Sequence, residues 1–76
     1  MTEITQVATV TAYEAKDDTF SAVMRDEVTR KIVRVFGFPT LSSATYAAKM
    51  MAWDKFGPVR YANLKRKGEY LANVWQ

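Results

Sequence analysis

The sequence predicts an α+β fold: a three-stranded antiparallel sheet packed on one helix, with a C-terminal extension. Three observations predict it. Residues 4–38 contain three alternating, β-branched runs separated by short polar links. Residues 41–56 place apolar side chains at helical spacing. Gly57-Pro58 then supplies a combined cap and breaker. With 76 residues the chain is expected to form a single domain. It divides into a β-meander (1–38), a helix (40–57) and a basic C-terminal extension (58–76).

Ile4 to Ala15 alternates, with Ile4, Gln6, Ala8, Val10 and Ala12 on one side and Thr5, Val7, Thr9, Thr11 and Tyr13 on the other. Lys16-Asp17-Asp18 reads as a turn. Thr19 to Asp26 is the second strand, setting Phe20, Ala22 and Met24 opposite Ser21, Val23 and Arg25. Glu27 to Arg30 reads as a hairpin link. Lys31 to Phe38 is the third strand, with Val33 and Val35, opposite Ile32, Arg34 and Phe36, expected to meet the alanine side of the helix. Gly37 marks a bulge or a close backbone approach. Short links between successive strands make the three an antiparallel meander.

Thr40 is a suitable N-cap, although Ser43 in place of Glu leaves the reciprocal capping box incomplete on sequence. Leu41, Ala44, Ala48 and Met51 share a face, and the small alanines would let the helix lie close on the sheet. Tyr46, Met50 and Trp53 form a second apolar stripe. The C-terminal segment, carrying Tyr61, Leu64, Tyr70, Leu71, Val74 and Trp75, is expected to cover that stripe, with both tryptophans buried. Within the segment, 59–64 reads as extended, 65–68 as a basic loop, and 69–75 as helical turns or a strand.

Composition removes whole classes of chemistry. The chain has no cysteine and no histidine, so thiolate and imidazole nucleophile systems and the usual zinc sites are excluded. Asp17-Asp18 and Asp26-Glu27, the paired carboxylates, fall in turns and are not expected to converge on a substrate or a metal. No enzyme activity, cofactor, metal or small-molecule substrate is expected. The polar, alternating start resembles no secretory leader, and no apolar run approaches membrane-spanning length. The expected location is the cytoplasm, with no membrane partner. Charge is divided along the chain: residues 1–29 carry six acids and two bases, residues 30–76 nine bases and two acids. A basic half of this strength points to a polyanion or an acidic protein surface.

The order β-β-β-α carries a resemblance. Ala22, Met24-Arg25-Asp26, Lys31, Val33, Val35, Phe38 and Thr40 fall at matching places, followed by Ala44, Ala47, Ala52, Gly57 and Asn63-Leu64. Over roughly half of the chain this resembles the plant ethylene-response-factor (APETALA-type) DNA-binding domain. The resemblance implies a three-stranded sheet that reads the DNA major groove. The chain departs from that family in having no arginine between Thr5 and Tyr13 and aliphatic Val23 and Ile32 among the outward sheet positions.

Two functions follow as expectations. In the first, Arg25 and Arg34 on the outer sheet face reach base edges. Arg30, Lys31, Arg60, Lys65, Arg66 and Lys67 then neutralise phosphates. In the second, Val23, Ile32 and Phe36, together with Tyr46 and Trp53, form a mixed apolar interface for a protein. Phage-encoded antagonists of host nucleic-acid-handling or defence complexes, such as anti-CRISPR proteins, have this size and character. The expected partner is DNA or such a complex, and a homodimer is a further expectation.

Overall fold

The computed structural model of the chain describes residues 4–15 and 17–76. Five strands and one helix follow in the order β1 (Gln6–Glu14), β2 (Phe20–Asp26), β3 (Ile32–Phe38), α1 (Leu41–Phe56), β4 (Arg60–Arg66) and β5 (Glu69–Trp75). The strands form one antiparallel sheet in the spatial order β3-β2-β1-β5-β4. No helix among the described residues is long and apolar enough to cross a membrane.

This corrects the expected three-stranded sheet. The class remains α+β, but the C-terminal extension is a hairpin built into the sheet rather than a tail across the helix. The Lys67-Gly68 turn, with Gly68 at φ 74°, brings β5 back along β4. β5 then pairs with β1 from Ala8↔Val74 to Ala12↔Tyr70. The meander alone would leave β1 as an open edge, and β5 closes that edge with a backbone ladder broken only by a register shift between Gln6 and Ala8.

The core lies between α1 and the centre of the sheet. Val10, Ala12, Ala22, Met24, Ala72 and Val74 meet Ala44, Ala48 and Ala52. The three alanines are spaced by four and fully buried, so the helix axis comes close to the strands. The helix packs chiefly on β1 and β2 and only grazes β3 and β5. Thr40 caps it, accepting from the Ser43 amide at 3.1 Å, while the Thr40 amide donates to Ser43 Oγ at 3.3 Å. A serine hydroxyl thus closes the capping box in the place usually taken by a glutamate.

Three packing expectations are corrected. Val33 and Val35 sit on the helix side of the sheet, opposite Met24 and Ala22, yet remain 43% and 41% exposed. The helix lies over β1 and β2 and does not reach them. The stripe of Tyr46, Met50 and Trp53 is not covered by the C-terminal segment, and Tyr46 is 67% exposed. Neither tryptophan enters the core: Trp53 is exposed and Trp75 half-buried. What links the helix to β4 is smaller. The Tyr61 hydroxyl donates to the Lys49 carbonyl at 2.6 Å, and Lys49 Nζ lies 5.4 and 5.3 Å from the Tyr61 and Tyr70 ring centres.

Candidate interaction surface

The alternation of β1, β2, β3 and β5 places Thr9, Thr11, Val23, Arg25, Ile32, Arg34, Leu71 and Asn73 on the sheet face away from the helix. The face is hollowed, with a concavity of about 390 Å³ floored by threonine and asparagine and walled by Ile32 and Leu64. Gln6 ties the floor together, donating from Nε2 to Asn73 Oδ1 at 3.1 Å and to Thr9 Oγ1 at 3.3 Å.

Arg25 and Arg34 occupy this face together with Val23, Ile32 and Phe36, but their surroundings differ. Arg25 Nε donates to Glu27 Oε1 at 2.7 Å, and Thr9 Oγ1 donates to the same oxygen at 3.1 Å. Arg30 Nη1 approaches the other Glu27 oxygen at 3.7 Å. The Arg25 guanidinium, helped by the Thr9 hydroxyl, holds the Glu27 carboxyl below its usual range. Glu27 therefore neutralises the hairpin end of the face. Its role was legible as a spacing, since Arg25 and Glu27 are two apart where β2 gives way to the turn. Arg34 has no acidic partner among the described residues and lies 6.0 Å from the Phe36 ring centre.

The remaining cations do not join these two. Arg30 and Lys31 stand at the β2–β3 hairpin, on one edge of the sheet. Arg60 opens β4 on the other edge, about 19 Å away across four strand spacings. Arg66 and Lys67 lie at the far end of β4, about 20 Å along the strand from Arg60. Arg66 Nη1 is 3.8 Å from Glu69 Oε2. Lys65 pairs with Tyr70 through its backbone register, and its side chain lies outside the described residues. Tyr46 and Trp53, on the helix, are separated from this face by the sheet.

The β2–β3 hairpin is held to the helix by a buried carboxylate. Asp26 is 1% exposed, and its Oδ2 meets Lys55 Nζ at 2.6 Å. Its Oδ1 accepts from the Val28 and Thr29 amides at 2.8 and 3.0 Å. Lys55, then the turn amides, lower the Asp26 pKa to about 2. This is a structural role for one of the two turn carboxylate pairs. Among the described residues no cluster of acidic, histidine or cysteine side chains is arranged to hold a metal ion.

β3 is exposed along nearly its whole length. It forms the sheet edge, and Ile32, Val33, Val35 and Phe36 are all exposed, Ile32 at 60% and Phe36 at 66%. Apolar groups are thus presented on both of its faces. Comparison with protein-family models, with curated proteins and with solved structures found no match.

Proposed function

We propose that this chain is a non-enzymatic module that binds a protein partner through β3 and the adjoining outer sheet face, as an inhibitor or adaptor would. The observation that carries this reading is the exposure of four large apolar side chains on β3, beside Arg34, the outer-face arginine of β2–β3 that no carboxylate among the described residues engages. Aliphatic and aromatic groups around a free guanidinium make up the usual composition of an interface core.

Two magnitudes weigh against the same face reading DNA. Five strands span about 19 Å between outer axes, whereas the major groove is about 12 Å wide. The cations are also spread over both edges and both ends, with Arg25 already paired, so they offer no continuous track for phosphates.

The test is photo-crosslinking from a benzophenone side chain placed at Phe36 in the producing cell, with Tyr46 as the control position. Adducts to one defined protein from Phe36 and not from Tyr46 are the expected result. A parallel titration with random duplex DNA across a salt series should show only weak non-specific binding, on the order of 10⁻⁴–10⁻⁶ M. Tight, salt-steep duplex binding would overturn the reading if Arg25→Ala with Arg34→Ala abolished it at unchanged Tm, and would restore the nucleic-acid alternative.

A further inference from the structure

We infer that the free edge of β3 is an acceptor for a sixth strand, and that the strand it fits is an extended segment of a partner protein alternating aliphatic with acidic residues. The inference rests on the protein-binding reading above and names the partner's chemistry.

The backbone sets the first half of the argument. The Asp26 amide donates to the Lys31 carbonyl at 2.8 Å, so Lys31 turns its polar groups toward β2. Antiparallel ladders alternate, which turns Val33 and Val35 inward and leaves the N–H and C=O of Ile32 and Arg34 pointing away from the sheet. The register shift between Phe20 and Ala22, with Gly37 at φ 88°, ends this regular stretch at its far side. About five residues, or roughly 17 Å, are therefore available for pairing.

The side chains set the second half. An added strand meets Val33 and Val35 on one face and Ile32, Arg34 and Phe36 on the other. Cross-strand neighbours of Val33 and Val35 should be aliphatic, and the neighbour of Arg34 should be a carboxylate. Successive residues of a strand point to opposite faces, so the complement is an alternating aliphatic–acidic sequence. Arg30 and Lys31 extend the positive charge beyond the strand's start. The carboxylates beside them are already engaged, Glu27 by Arg25 and Arg30 and Asp26 by Lys55. A second copy of β3 answers this charge poorly, because it would bring another Arg30, Lys31 and Arg34 on a strand that itself holds no acidic residue.

The test uses the heptapeptide acetyl-Val-Glu-Val-Glu-Val-Glu-Val-amide as probe, the same peptide with Lys for Glu, and amide NMR of the whole chain. The Glu peptide should protect the Ile32 and Arg34 amides from solvent exchange and shift β3 resonances saturably. The Lys peptide should bind about fivefold more weakly or less well still. Arg34→Glu should reverse that preference. Ile32→Pro keeps every charge but removes an edge donor, and should lose the Glu peptide while the remaining spectrum stays folded. Equal response to both peptides, shifts centred on β4, or β3 protection that rises with protein concentration alone would each overturn the inference. Silence toward both peptides, with Phe36 still crosslinking to a protein, would overturn the partner chemistry and leave the protein-binding reading standing. Nucleic-acid adducts at Phe36 would overturn both.

Discussion

Strands β3 and β4 close the same sheet on opposite sides, and the chain treats them differently. β4 begins with Arg60, ends with Lys65-Arg66, and is tied to the helix through the Tyr61 hydroxyl. Cations at the ends of an edge strand discourage other strands from adding to it. β3 follows Arg30-Lys31 and carries Arg34 in its middle, but it exposes Ile32, Val33, Val35 and Phe36 on its two faces. An edge left apolar in a small protein exposes it to aggregation unless something covers it. The difference teaches where to look for a partner: at the edge that lacks the usual protection.

The comparison can be broken at several points, beginning with the helix. Ala48 is fully buried against the sheet. Ala48→Leu should cost about 1–3 kcal/mol by overpacking, read as a lower Tm. Amide exchange should quicken in β1 and β2 and stay unchanged at the outward amides of Ile32 and Arg34. Slower exchange at β3 would mean that the displaced helix now covers that edge.

Next come the glycines, one near each edge. Gly37 and Gly68 both have positive φ, and a Cβ at either would meet nothing within 4 Å. Alanine at each should cost about 1–2 kcal/mol, through backbone conformation alone. Denaturant titration should find the two losses similar, and a much larger loss at one would show that its edge depends on more than the turn.

Acid should act on the β3 side first. The Asp26 pKa is about 2 in the folded chain against an ordinary 3.8. A depressed folded pKa gives stability that is complete above the ordinary value and lost as pH falls through the folded one. Melting temperatures should therefore decline between about pH 4 and pH 2, with β2–β3 hairpin amides losing protection before those of β4–β5. Lys55→Met should raise the Asp26 pKa and flatten this part of the profile. An unchanged profile would remove the ion pair as the hairpin's anchor.

The smallest effects on stability should come from protecting the open edge. Val33→Lys should alter stability by no more than about 0.5 kcal/mol, yet abolish crosslinking from Phe36. Ala62→Lys on β4 should be equally mild and leave crosslinking intact. Loss of crosslinking in both variants would erase the distinction between the edges.

Much of this architecture was legible from local pattern. The alternation of residues 4–38 located β1, β2 and β3 to within a residue or two, and Thr40 and Gly57 bounded the helix. What could not be read was pairing between distant segments. Tyr70, Ala72 and Val74 alternate with Leu71, Asn73 and Trp75, and Lys67-Gly68 has the form of a two-residue hairpin turn. Those signals indicate a hairpin, but they do not say that β5 inserts beside β1. The site divides in the same way. That Arg25 and Arg34 share a face followed from the period of two. The separation of Arg60 from Arg30 depends on the strand order, which no local window contains.

The pairing of β1 with β5 also governs how the molecule yields to force. The Thr5 amide donates to the Gln76 carbonyl at 3.2 Å, and the Gln76 amide donates to the Thr5 carbonyl at 3.0 Å. These positions lie side by side at one end of two antiparallel strands in the middle of the sheet. Tension applied between them peels the ladder open one rung after another, rather than loading all the rungs together as shear would. A molecule with a shielded centre should thus part at low force when pulled from residues 5 and 76, separating into the β1–β2–β3 unit with its helix and the β4–β5 hairpin.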